Sequence, residues 1–303
     1  MKNRLSSLST IDLLLVLVVM IWGVNFIVVK IAVTQMNPLT FNCLRTILGS
    51  GFLILLSLLK GRNSRLSRAM LLRLLAIGIV GNGIYQILYI LGIYMTLAGV
   101  TSLILASTPI FVLILDSILH VEKISYREWV GVACSFVGII LMIHIETLGT
   151  VGSSVLIGDL LILVGTFCWA SYIVLSKPIL STVSPLNFVT YTVLFGSPIV
   201  ILSAAPSLLT FNIHAVTLET WLAIGYSGIL SLGVAYVIWY LSVQRIGTAR
   251  TAVYQNLVPI IAVVIAAKVL GEQMQSRQLL GGAMILLGIY LTRVSRDEPV
   301  ENR

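Results

Sequence analysis

Residues 12–50 read DLLLVLVVMIWGVNFIVVKIAVTQMNPLTFNCLRTILGS, and residues 159–197 read DLLILVGTFCWASYIVLSKPILSTVSPLNFVTYTVLFGS. The two stretches run in step without a gap, at a constant offset of 147 (159 minus 12). Asp12 meets Asp159, Trp22 meets Trp169, Lys30 meets Lys177, Pro38 meets Pro185, Phe41 meets Phe188, and Gly49-Ser50 meets Gly196-Ser197. Leucine matches carry little weight in a leucine-rich chain. Asp, Trp, Lys and Pro are scarce here, so their alignment signals an internal repeat, and a repeat governs the architecture.

Outward from this stretch the repeat continues. Leu75-Ala76-Ile77-Gly78 matches Leu222-Ala223-Ile224-Gly225 at the same offset, and Gly81 matches Gly228. Farther on the offset becomes 150 (259 minus 109). Pro109 then meets Pro259, Glu122 meets Glu272, Arg127 meets Arg277, Gly131 meets Gly281, and Gly138 meets Gly288. A net insertion of three residues near the eighth apolar segment accounts for the change. The chain thus reads as two copies of one unit, residues 1–148 and 149–303, joined by a Gly/Ser/Thr-rich linker at about Glu146 to Gly158.

Of the 303 residues, 58% are hydrophobic and only 10% charged, with a mean hydropathy of +1.05. A soluble domain carries about a quarter charged residues, so this composition excludes an ordinary soluble fold. The apolar runs are long and not strictly alternating, which favours membrane-spanning helices over a barrel. Ten spans are expected: Ile11–Val33, Leu39–Leu59, Met70–Leu91, Thr96–Leu119, Trp129–Ile145, Gly158–Ser176, Leu186–Ala204, Trp221–Leu241, Ala249–Leu270 and Leu279–Arg293. The boundary between the third and fourth is the least defined, because almost no loop separates them.

The net charge of +8 gathers in short loops, where it sets orientation and gives no reason to expect nucleic acid. With the N-terminus inside, Lys60, Arg62, Arg65, Arg68, Arg73, Lys123, Arg127, Lys177, Arg245, Arg293, Arg296 and Arg303 fall on the inner side. Lys30, Lys268 and Arg277 fall outside. Both termini are therefore expected in the cytoplasm, and the first apolar run is read as a retained helix. Five spans per copy is an odd number, so the second copy enters the bilayer inverted. Inverted repeats are a recurrent plan of secondary transporters, with the substrate near mid-bilayer where the copies meet.

Trp22-Gly23-Val24-Asn25-Phe26, Lys30, Arg45 and the helix-end Glu122 and Glu272 resemble the drug/metabolite transporter superfamily, and each half is similar to an EamA-type domain. The resemblance covers nearly the whole chain. It implies a multi-pass protein of the cytoplasmic (inner) membrane that exports small metabolites such as amino acids, or drug-like compounds. The second copy departs from the pattern, with Ala170, Ser171 and Tyr172 where the first has Gly23, Val24 and Asn25.

Candidate substrate contacts come from polar and aromatic stripes. Asn82, Tyr85, Gln86 and Tyr89 fall at i, i+3, i+4 and i+7, one face of a helix. Such a face in lipid either lines a wet cavity or hydrogen-bonds a neighbouring helix. Tyr236 and Trp239 share a face of the eighth span, beside Tyr240; aromatic residues near a span's end also suit the membrane interface. Trp22 with Asn25, Trp169 with Tyr172, and Tyr254 with Gln255 complete the candidates. Pro109 and Pro259 mark matched breaks within spans, a pointer to a transport site or a plain kink.

Arg45, deep in the second span, reads as structural or as a carboxylate binder, and its repeat partner is Thr192. Asp116 reads as a local partner of His120 or a proton relay, Glu122 and Glu272 as helix-end caps or gates, and Asp12 and Asp159 as caps. Cys43, Cys134 and Cys168 show no metal or redox spacing and read as buried thiols. No phosphate loop, HExxH pair or clustered acid–base set is present in the sequence, so neither ATP-driven transport nor an enzyme is expected, and no cofactor or metal. The expected partners are a small-molecule substrate, neutral, zwitterionic or aromatic, and the lipid bilayer; proton coupling stays open. A lipid-flippase-like carrier would need a side opening. A membrane scaffold would have a filled interior.

Overall fold

A computed structural model describes residues 10–60, 66–118, 126–142, 153–246, 251 and 254–297. Among them the chain is all helical, in this order: α1 (Thr10–Gln35), α2 (Pro38–Leu59), α3 (Arg68–Met95), α4 (Ala98–Ile118), α5 (Tyr126–Met142), α6 (Ser153–Ser176), α7 (Pro185–Leu209), α8 (Leu218–Ile246), α9 (Val258–Leu270) and α10 (Ser276–Asp297). Seven of these, α1–α4 and α6–α8, are long and apolar enough to cross a membrane; α5, α9 and α10 contain shorter apolar stretches. The protein is a multi-pass membrane bundle. Its outer shell is aliphatic, with Leu58, Leu72, Leu202 and Leu209 all exposed, as suits contact with lipid tails.

The helix starts repeat as the sequence does. Asn37 accepts the backbone N–H of Leu39 and Thr40 with Pro38 in the first turn, and Ser184 accepts that of Asn187 with Pro185 in the first turn. Caps of this kind contribute about 1 kcal/mol each, and proline fits the first turn because its missing donor is an orphan there anyway. Two further prolines, Pro198 and Pro206, lie inside α7. Pro198 cannot bond the carbonyl one turn earlier, and the Ser197 hydroxyl donates to that Leu194 oxygen at 2.9 Å instead.

Both α3 and α8 change pitch in the middle. Residues Ile79–Ile84 of α3 and Tyr226–Ala235 of α8 form wider π-type turns, and these segments start at equivalent repeat positions, 79 and 226. Each lies where a helix of the other half crosses with backbone almost touching backbone. A Cβ on Gly228 would sit 2.5 Å from the Arg45 carbonyl oxygen, and one on Gly196 2.6 Å from the Asn82 carbonyl carbon. Small residues permit such approaches between helices in lipid.

Packing follows a matching exchange of elements. α3 lies on α6 as α8 lies on α1, α4 on α6 as α9 on α1, and α3 on α7 as α8 on α2. The equivalent helices α2 and α7 pack on each other, as do α5 and α10. The α2/α7 pair runs antiparallel: Thr40 Oγ1 donates to Ser207 Oγ at 2.8 Å near one end, and Ser57 Oγ to Asn187 Oδ1 at 3.4 Å near the other. Along α5 and α10, Gly138 faces Gly281, Ser135 Oγ donates to the Ile285 carbonyl, and Gly131 faces Gly288, again antiparallel.

Several expectations need correction. The third and fourth segments part at Thr96 and Leu97, both extended, so α3 runs on to Met95 and α4 begins at Ala98. α4 is interrupted at Ser107, just before Pro109, and α9 begins after Leu257, just before Pro259. Lys30 is not in a loop; it lies in α1, and its ammonium donates to the carbonyls of Ile93 (2.9 Å) and Thr96 (2.6 Å) at the end of α3. Cys134 and Cys168 are only half-buried, whereas Cys43 is buried. α9 ends at Gly271, whose φ of +65° closes the helix in the left-handed region that glycine adopts without penalty.

Candidate functional site: a central aromatic cavity

The repeat tryptophans meet at the centre. Trp22 on α1 and Trp169 on α6 pack edge-on with ring centroids 6.4 Å apart, and Tyr236 on α8 touches both, at 6.0 and 5.3 Å. Tyr85 on α3 stacks on Trp169 at 5.2 Å and continues to Tyr89, which meets Phe26 at 6.0 Å. Such contacts hold rings in fixed orientation and add about 0.5–1.5 kcal/mol each beyond burial.

These rings line a cavity of about 70 Å³. One water needs about 10–15 Å³ by this measure, so the space holds several waters or part of a small solute. Of the twelve expected contacts, Trp22, Asn25, Tyr85, Gln86, Tyr89, Trp169, Tyr236 and Gln255 line it, drawn from α1, α3, α6, α8 and the segment before α9. Pro259 lines it too, and so do Ser102, Leu105 and Ala106, just before the break in α4. Pro109 does not.

The other four expected contacts lie one layer out. Asn82 sits inside the π-type turn of α3, buried at the crossing with α7 and beside Tyr172. Its i, i+3 spacing to Tyr85 presumed α-helical pitch; the wider turn rotates Asn82 off that face. Tyr172 bonds Thr192 Oγ1 at 2.8 Å behind Trp169. Trp239 is fully buried against Trp22, centroids 5.1 Å apart, so it belongs to neither the cavity wall nor a membrane interface. The Tyr254 hydroxyl donates to Asp12 Oδ1 at 2.8 Å, near the start of α1.

Arg45 reaches the cavity wall, only 1% exposed. Its Nε donates to Asn42 Oδ1 (2.9 Å), Nη1 to Ser227 Oγ (2.9 Å) and Nη2 to Gln86 Oε1 (2.7 Å). Gln86 then donates to the Tyr236 hydroxyl at 3.3 Å, and Asn42 Nδ2 to the Gln86 backbone carbonyl at 3.1 Å. The network therefore ties α2 and α3 of the first half to α8 of the second. Sequence reasoning missed Asn42 and Ser227; Asn42 stands one turn before Arg45 and was the available signal.

The remaining ionisable residues cluster at the two ends of the bundle. Asp116 pairs with Lys177 at 2.6 Å, an inter-half contact; His120, its expected local partner, lies outside the described residues, as does Glu122. Glu272 caps α4, accepting the N–H groups of Ala98 (2.8 Å) and Gly99 (3.0 Å). Asp159 accepts the Thr96 hydroxyl at 2.6 Å. Among the described residues no three His, Cys, Asp or Glu side chains could hold a metal ion.

Comparison with known proteins agrees with this architecture. The EamA-like transporter family matches residues 9–144 and again 156–294. A protein of Archaeoglobus fulgidus described as an "Uncharacterized transporter" is 28% identical over 294 residues, covering 96% of this chain and 99% of its own. Proteins described as "Probable amino-acid metabolite efflux pump" in Salmonella typhimurium and Escherichia coli are each 27% identical, covering 92% of this chain and 93% of theirs. A crystal structure at 16% identity superposes over 96% of this chain and 100% of its own with a TM-score of 0.66, which speaks to the fold. The chain belongs to the EamA-like transporter family, within the drug/metabolite transporter superfamily, and is a secondary transporter of small metabolites.

Proposed function

We propose that the protein exports an amino-acid-like or aromatic metabolite across the cytoplasmic membrane by alternating access of two inverted five-helix repeats, residues 1–148 and 149–303. The carrying observation is the cavity at the meeting point of the repeat-equivalent Trp22 and Trp169. Ten membrane crossings, with α5, α9 and α10 as the short ones, put both termini on the cytoplasmic side. The antiparallel course of α2 against α7, and of α5 against α10, supports the inversion, because equivalent helices of two parallel copies would run the same way. A unit used in both orientations has two arrangements of similar energy, one open to each face. An aromatic wall with neutral amides suits a partly apolar solute, and the two efflux-pump relatives support the outward direction.

The test is uptake and efflux of a metabolite panel in proteoliposomes, with Tyr85→Ala, Gln86→Ala and Tyr236→Ala measured singly beside the parent. Each variant is expected to lose flux of the transported compound by about ten-fold or more, as loss of a positioned polar or aromatic contact of about 1.4–3 kcal/mol implies. Parent-level flux in all three would move the site elsewhere.

A further inference from the structure

We infer that the cavity selects a monocarboxylate with an apolar or aromatic body, its carboxylate held by Arg45. This rests on the cavity being the transport site and names what that site recognises.

Among the described residues lining the cavity, Arg45 alone is charged. A guanidinium carries five N–H donors. Asn42, Ser227 and Gln86 accept three of them, one on each nitrogen. Each terminal nitrogen therefore keeps one hydrogen with no acceptor among the described residues. The three acceptors are all neutral. Among the described residues Lys177 pairs with Asp116 at the end of the bundle, and Arg45 forms no ion pair.

A buried cation without an anion is expensive, and structural arginines in membranes are commonly paired. Here the rings of Phe41 and Tyr89, 5.7 and 5.5 Å from the guanidinium carbon, soften the cost without neutralising the charge. What would complete the site is a planar anion with two acceptors, and a carboxylate matches the guanidinium fork. A dianion would leave one negative charge unmatched in the same cavity. An ammonium would find no carboxylate among the described residues of the cavity wall and would sit near a like charge. The aromatic faces of Trp22, Trp169 and Tyr85 receive the body. The repeat equivalent of Arg45 is Thr192, which bonds Tyr172 outside the cavity, so the cavity offers one cation to one anion.

The test uses the full chain, both in detergent and in proteoliposomes. The probes are a series of aliphatic and aromatic monocarboxylates, each with its primary amide, together with 3-phenylpropionate against phenylalanine. In the parent protein the acids are expected to raise the melting temperature and drive counterflow. Each acid should compete about 10- to 100-fold more strongly than its amide, the range for hydrogen bonds to a charged group, and 3-phenylpropionate should compete more strongly than phenylalanine. Arg45→Gln, which keeps polar contacts, is expected to bring the acid-to-amide ratio close to one. Arg45→Lys, which keeps the charge and loses the fork, should fall between. A purely structural arginine would lower stability and leave that ratio unchanged. Equal competition by acid and amide in the parent protein overturns the inference without any variant having to fold. Equal potency of phenylalanine overturns the monocarboxylate assignment. If probes bind and move without charge preference, the transport reading stands and this inference falls. If none of the series binds or moves, and the wider metabolite panel is equally inert, the transport site itself is refuted.

Discussion

Gln86 is where the two halves share a charge. Its carbonyl oxygen accepts from Arg45 and its amide donates to Tyr236, so one side chain couples α2, α3 and α8. Gln86→Glu would place a carboxylate oxygen where the amide oxygen now lies, 2.7 Å from Nη2 of Arg45. The internal pair would then satisfy the guanidinium and compete with any anionic solute. We expect an unchanged or raised melting temperature together with about 10-fold or greater loss of anion flux; full flux in Gln86→Glu would show that Arg45 does not face the solute. At this scale much of the cavity was legible. Tyr85, Gln86 and Tyr89 keep α-helical spacing and share the cavity wall, whereas Asn82 lies off it, in a wider helical turn that nothing in its sequence neighbourhood announces. Arg45 was ambiguous from sequence for a simple reason: a lone cation in a span reads the same whether its ligand is protein or solute.

The elements cross where glycine has removed the side chain. On α8, Gly225 and Gly228 lie less than one turn apart yet meet different surroundings. Nothing lies within 4 Å of a Cβ on Gly225, while one on Gly228 would press 2.5 Å from the Arg45 carbonyl oxygen and 3.3 Å from the Gly49 nitrogen. Gly225→Ala is therefore expected to leave stability unchanged or raise it by about 0.4–1 kcal/mol through the unfolded chain. Gly228→Ala should cost about 1–3 kcal/mol, since neither backbone neighbour can rotate away. Melting curves of the two purified variants check this, and equal curves would mean that the α2/α8 crossing is looser than described. The matching glycines at 81 and 228 were visible as a repeat, and so were the proline breaks. Their partners were not, because sequence periodicity tells which residues share a face and leaves open which helix that face meets. The pitch change in α3 and α8 was also invisible: it coincides with the close crossings, a tertiary feature that local propensity does not encode.

Across the whole molecule, polar contacts join the two halves at both ends of the cavity. Glu272 holds the start of α4 at one end, and Lys177 holds Asp116 near the finish of α4 at the other. The duplication that puts Lys177 opposite Lys30 was legible in the first aligned stretch. Its ionic partner was not, since Asp116 lies 61 residues away and His120 was nearer in sequence. In a rocking transporter these end contacts must be made and broken in turn, so each is a weight on a two-state balance. A partly exposed pair such as Lys177–Asp116 contributes about 0.2–1 kcal/mol, enough to shift populations by up to about five-fold. Asp116→Asn should thus favour the state open at the Lys177 end, and Glu272→Gln the state open at the opposite end. A reporter cysteine at the cavity residue Ser102, in a chain with Cys43, Cys134 and Cys168 replaced, reads this through a membrane-impermeant thiol reagent added from one side at a time. Asp116→Asn should speed labelling from the Lys177 side and slow it from the other, and Glu272→Gln should do the reverse. Faster labelling from both sides at once would mean that the variants loosen the bundle, and the alternating motion would lose its support.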